Sequence, residues 1–212
     1  MTTSKLLQRP MVRALLFLLV LWGLFEAWKE FLEDRLFPKR WGEVEEGLYR
    51  SGQLHRDLIE QVLVDNGIEV IVNMNRPAMD KPDHAAEMVV AEELGIENYR
   101  FPMLGDGQGD PENYVLALDQ VRRSLAQDQK VLVHCTAGSQ RTGAAIGLYR
   151  VLFQGWSTAE AVEEMASYDF DPIKDADLLR FLDNNMTFLT RRLVETGALE
   201  AVPEPLPRFY PG

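Results

Sequence analysis

"HCTAGSQRTG", residues 134–143, holds the chain's single cysteine and spaces it five residues from an arginine. Cys135 follows the apolar, β-branched run Val131 to Val133, and Thr142-Gly143 follow Arg141. The small residues between them let successive backbone N–H groups turn inward and form an anion nest. A helix starting near Arg141 adds its unsatisfied N–H groups and partial positive charge. The Arg141 guanidinium is a planar fork that can hold two oxygens of one phosphate. The same positive field favours the thiolate, the nucleophilic form of cysteine. The stretch therefore reads as a thiolate beneath a bound phosphate, set for in-line attack. The plainer reading of a lone cysteine at a strand end is a buried small hydrophobe, and a bare Cys-x5-Arg recurs by chance. His134, Gly138 and Thr142-Gly143 at a strand-to-helix junction favour the chemical reading.

A loop of this kind needs a scaffold, and the flanking sequence supplies one. "IEVIVNMN", "IENYRFPM" and "KVLVHC" read as strands, and Gly47 and Gly52 bracket a further short one. "RDLIEQVLVDNG", "HAAEMVVAEELG", "PENYVLALDQVRRSLAQ", "RTGAAIGLYRVLFQG", "STAEAVEEMASY" and "ADLLRFLDNNMTFLTRRLVETG" read as helices. Ser157 and Glu160 stand at capping-box spacing. Strands alternating with helices predict an α/β fold: a mostly parallel sheet of about four to five strands flanked by helices. The thiol then lies at the carboxyl end of a strand, where α/β sheets gather ligands.

Bulk properties narrow the function. The 212 residues suit one ordinary domain plus extensions. One cysteine excludes an intrachain disulfide framework, and His55, His84 and His134 show no ligand spacing, so neither a metal nor a cofactor is expected. The first 40 residues carry seven Lys/Arg against four Asp/Glu, and the remainder carries 15 basic against 29 acidic residues. An acidic body argues against nucleic-acid binding, which needs a basic footprint.

The residues 134–143 match the His-Cys-x-x-Gly-x-x-Arg-Ser/Thr signature, and the chain resembles the protein tyrosine phosphatase superfamily. "GLYRSGQL", "GIEVIVNMN", "GIENYRFPM" and "YRVLFQGWSTAEAVEEM" extend the likeness to compact, dual-specificity-like bacterial members, over residues 42–170. The resemblance implies that Cys135 forms a phosphocysteine and that Arg141 binds the phosphoryl oxygens and the transition state. It implies that the backbone of Thr136, Ala137, Gly138, Ser139, Gln140 and Arg141 completes the cradle. Thr142 would hydrogen-bond the thiolate, and His134 would order the loop and tune the thiol. The general acid would come from an upstream aspartate, in "GDGQGDPE". Asp106 is preferred by its distance from the signature. Asp110 is the alternative, with a helix cap as its plainer role. "YRSGQ", residues 49–53, reads as structural support for the site, with Arg50 paired to an acid.

The substrate implied is a phosphorylated protein, through phosphotyrosine and also phosphoserine or phosphothreonine. A phosphoinositide or inositol phosphate is the alternative, weakened by the absence of lysine at 136–140. A non-catalytic phosphate-binding module at a membrane is a further alternative. A rhodanese-type sulfurtransferase would use a loop one residue shorter, and arsenate reduction would recruit additional cysteines.

The N-terminal run Ala14 to Phe25 is apolar without a break. It is expected to be a single-pass membrane anchor, with the helix over about 11–28. The expected organisation is an anchor at 1–28, a linker at 29–41, a phosphatase domain at 42–198 and a proline-rich tail at 199–212.

Overall fold

Short runs of aliphatic and β-branched residues build the sheet in the computed structural model, which describes residues 10–31 and 33–210. The chain divides between Phe37 and Pro38 into two compact units. The second holds β1 (Gly42–Glu45), β2 (Leu48–Ser51), β3 (Val70–Asn73), β4 (Glu97–Arg100) and β5 (Val131–His134). They lie side by side in the order β1-β2-β5-β3-β4. β1 pairs with β2 antiparallel, and every other pairing is parallel. The expectation of a mostly parallel α/β sheet therefore holds, with β1 as the antiparallel edge.

Side chains alternate across the strands and serve two helical layers. Leu48, Val70, Val72, Val131 and Val133 face a core built with α5 (Glu112–Leu125), α6 (Gln140–Phe153), α7 (Thr158–Ser167) and α8 (Ala176–Glu195). Tyr49, Ile71 and Leu132 face a smaller core with α3 (Ile59–Asn66) and α4 (Pro82–Leu94). Burial on both faces explains the unbroken aliphatic runs Val70 to Val72 in β3 and Val131 to Val133 in β5. Ser157 caps α7: its Oγ accepts from Glu160 N, and Glu160 reaches back to Ser157 N. Residues 199–210 form no helix or strand, yet Phe209 is buried and its N–H donates to Asp183.

Strand register matters most for function. Ser51 and Asn73 both align with His134. The carboxyl ends of β2, β3 and β5 thus coincide, and Gly52, Met74 and Cys135 leave the sheet at one place.

The N-terminal unit contains α1 (Pro10–Phe31) and α2 (Glu33–Leu36). The expected single-pass membrane helix is not borne out. Among the described residues no helix is long and apolar enough to cross a membrane. Arg13 and Glu26 bound an unbroken apolar run of only 12 residues. At about 1.5 Å per residue that covers roughly 18 Å, against roughly 30 Å of hydrocarbon. The membrane partner and the membrane location expected from the sequence fall with it.

Candidate active site

The loop between β5 and α6 carries the signature. Cys135 is buried at its base, and the Gly138 N–H donates to Cys135 Sγ at 3.1 Å. Gly138 has φ +82, and a Cβ there would meet Gly52 N at 2.5 Å. Gly52 is equally confined, since its own Cβ would meet Ala137 O at 2.8 Å. Two backbones touch here, which only glycines permit.

Carbonyls on the outer side of the loop are held by arginines. Arg40 Nη1 donates to Ala137 O and Arg50 Nη2 to Gly138 O, both at 2.6 Å. Arg50 is fully buried and lies 3.7 Å from the centroid of the Tyr168 ring. Burial pulls its guanidinium down to about 10, against the pull of Tyr168, Glu164 and Cys135. "YRSGQ" is thus support for the loop, as expected, but Arg50 engages a carbonyl and an aromatic face where an acid was expected.

Arg141 opens α6 and is 8 % exposed. Its Nη1 donates to Asn75 Oδ1 at 3.0 Å, and the same oxygen accepts from Thr136 Oγ1 at 2.7 Å. Arg141 Nε and Ser139 Oγ are buried without a hydrogen-bond partner among the described residues. An anion in the loop would take such donors. Thr142 Oγ1 contacts Ser51 O at 3.4 Å. Gln140 Nε2 reaches Asp175 Oδ2 at 3.4 Å.

Beneath the loop lies a buried carboxylate that the sequence reading passed over. Glu87, 2 % exposed, accepts from Asn73, Gln53 and Asn98. His134 Nε2 stands 3.0 Å from Glu87 Oε2, a close ion-pair distance without the alignment of a hydrogen bond. Burial pushes the Glu87 carboxyl up, but the His134 charge and the converging donors outweigh it and hold the group down at about 2. Gln53 Oε1 and Asn73 Oδ1 in turn accept from Asn75, the residue that holds Arg141. Asn75 and Glu87 had a weak signal in the sequence. Asn75 stands just past a strand end, and Glu87 has the type and spacing of a solvated helix residue.

The upstream loop is built differently. Asp106 is exposed, and its carboxylate accepts from Gln108 N at 3.0 Å and Gln108 Nε2 at 3.3 Å. Asp110 is also exposed and accepts from Glu112 N at 3.0 Å, at the start of α5. Tyr114 ties the loop to the core, donating to Gly107 O at 2.7 Å. Burial pushes the Tyr114 phenol far up, and Cys135 and Asp106 add to the shift. A groove of about 1170 Å³ elsewhere, lined by α7, α8 and the tail, includes no residue of the 135–141 loop.

Residues 47–155 match the family model described as "Polymorphic toxin system, DSP-PTPase phosphatase". The chain belongs to this DSP-PTPase family. The expected superfamily resemblance is thereby borne out. The dual specificity protein phosphatase TpbA of Pseudomonas aeruginosa, in two strains, is 35 % identical over 79 residues. That match covers 36 % of this chain and 35 % of TpbA, so the chain spans about a third of the length of the curated relatives it matches. Among solved structures, the core catalytic domain of the PP-IP phosphatase SIW14 from S. cerevisiae has a TM-score of 0.60 at 21 % identity. It covers 80 % of this chain and 97 % of its own. P. aeruginosa TpbA has a TM-score of 0.58 at 20 % identity, covering 75 % and 91 %. PTPMT1 has a TM-score of 0.55 at 18 % identity, covering 73 % and 99 %. At these identities the structural likeness carries the DSP-PTPase fold alone.

Proposed function

We propose that this chain hydrolyses phosphotyrosine monoesters, and phosphoserine and phosphothreonine monoesters as well, through a phosphocysteine at Cys135. The observation that carries this is the Gly138 N–H aimed at Cys135 Sγ inside a loop whose carbonyls are drawn outward. Such a loop presents donors to an anion, and Arg141 closes it with a buried cation.

The reaction runs in two steps. The Cys135 thiolate attacks phosphorus, the ester P–O bond breaks, and the departing oxygen takes a proton from the Asp106 carboxyl. Asp106, now a carboxylate, takes a proton from water. That water attacks phosphorus, the S–P bond breaks, and inorganic phosphate leaves with the thiolate restored. Arg141 and the loop N–H groups carry the charge of both transition states. Thr142 and His134 act from the two ends of the loop, at the start of α6 and the end of β5. Asp106 is favoured as the acid because the next residue, Gly107, is held by the buried Tyr114 hydroxyl, whereas Asp110 is engaged by Glu112 N at the start of α5.

A second reading, an inositol phosphate or phosphoinositide substrate, draws on neighbours described as a PP-IP phosphatase and as PTPMT1 in complex with PI(5)P. Positions 136–140 lack the lysines that would favour it. The test is turnover of phosphopeptides and of phosphoinositides with chelator present, on the wild type and Cys135→Ser. Phosphopeptide turnover that disappears in Cys135→Ser supports the first reading. Activity that survives the substitution sinks both.

A further inference from the structure

Within the cradle, one peptide unit links two residues of opposite roles. The carbonyl of Ala137 and the N–H of Gly138 belong to the same trans peptide and point in opposite directions. Arg40 Nη1 donates to that carbonyl at 2.6 Å, and that N–H donates to Cys135 Sγ at 3.1 Å. We infer that Arg40 is a positioning residue for the reaction: by drawing the Ala137 carbonyl outward it aims the Gly138 N–H at the sulfur and the anion above it. The inference rests on the phosphatase reading of the loop.

Arg40 lies outside the residues 47–155 that match the family model, in a strap running from Pro38 into β1. The strap is built to hold it there. Lys39 O accepts from Gly52 N at 2.7 Å, which pins the strap beside the glycine that packs on the loop. Arg40 Nε pairs with Asp169 Oδ2 at 2.9 Å, which fixes the fork from the other side. Arg40 itself has φ +47, a left-handed conformation. A non-glycine residue there costs about 1 kcal/mol or more, and such a conformation persists where its surroundings over-determine it. A cation on the carbonyl also polarises the amide and strengthens its N–H as a donor. Arg50 does the same for the next peptide, whose N–H belongs to Ser139. The cradle is thus aimed by two arginines, one inside the family region and one before it.

The experiment uses the full chain as wild type, Arg40→Ala and Arg40→Lys. It reads turnover of p-nitrophenyl phosphate, inhibition by inorganic phosphate and the melting temperature. Arg40→Ala is expected to lower kcat/KM by about tenfold or more, the scale of a hydrogen bond to a charged group. The inhibition constant for phosphate rises in step, and Arg40→Lys recovers part of both losses. A purely structural role would move the melting temperature without changing the phosphate affinity of the folded protein, and that result overturns the inference. So do kcat/KM and phosphate affinity within about twofold of wild type. If Arg40→Ala does not fold, Arg40→Lys decides on the same two readouts. A wild type that neither turns over the ester nor binds phosphate overturns the phosphatase reading itself, a distinguishable result.

Discussion

Residues 135–141, proposed to hold the phosphate, and residues 104–110, proposed to supply the acid, are held in opposite ways. Residues 135–141 are braced from several directions: Arg40 and Arg50 on the carbonyls, Asn75 on Arg141 and Thr136, and Gly52 against Gly138. In residues 104–110 both aspartates are exposed, and apart from the buried Gly107 the segment is held by turn contacts of its own plus the Tyr114 hydroxyl. The first region must present donors that cost no reorganisation when charge develops. In the proposed reaction the second delivers a proton to the leaving group and then takes one from water. Rigidity suits the one task and local, breakable contacts the other.

The comparison breaks first at Arg141. Arg141→Ala is expected to lower kcat by about 10³-fold or more, the scale of losing a cationic transition-state clamp. Steady-state assay on an aryl phosphate checks it, and a loss under about tenfold would show that the braced loop is not the catalytic element. Asp106→Asn comes next, with a loss of about 10²-fold in kcat that flattens one limb of the pH–rate profile. Asp110→Ala should leave kcat near wild type and cost about 1 kcal/mol of stability through the lost acceptor for Glu112 N at the start of α5. The reverse pattern would transfer the proton donor to Asp110.

Glu87 tests the bracing from below. Its carboxyl sits at about 2 in the fold against 4.5 in a free chain. The stability it contributes is fully present above about 4.5 and is lost as pH falls toward about 2. Wild-type melting temperature should therefore decline across that window. Glu87→Gln should be destabilised by about 3 kcal/mol at neutral pH, because Arg100 loses its buried counter-charge and the converging Asn and Gln donors lose a charged acceptor. Its melting temperature should lack the Glu87 share of the acid decline. Thermal melts from pH 2 to pH 7 separate the two curves.

The cradle and its strand–loop–helix setting were legible in the sequence because they are local: a β-branched run, a glycine and an arginine at fixed offsets. The sheet was legible for the same reason, since a strand buried on both faces is an unbroken aliphatic run. What could not be read joins distant segments. Asn75 meets Arg141 across 66 positions and Arg40 meets Ala137 across 97. No periodicity announces a pairing of that kind, and Glu87 on α4 has the type and spacing of a solvated helix residue. The N-terminal expectation failed for a different reason. A continuous apolar run was weighed with its flanks, and the polar residues within those flanks shorten the span that could lie in hydrocarbon.

The smallest effect sharpens the comparison most finely. Tyr114 is fully buried, and its hydroxyl fixes the carbonyl of Gly107, the residue after Asp106. Gly107 has φ +86 and packs so closely that a Cβ would meet Leu178 at 2.9 Å. The tyrosine therefore sets the base of a turn whose tip is free. Tyr114→Phe removes one buried hydrogen bond, worth about 1 kcal/mol, and leaves the ring in place. If the acid loop needs that base, kcat falls by roughly threefold to tenfold. The inhibition constant for inorganic phosphate should stay unchanged, because no brace of the cradle runs through the hydroxyl. Equal losses in kcat and phosphate affinity would show that the two loops are one mechanical unit, and the contrast between a rigid anion site and a yielding acid would be lost.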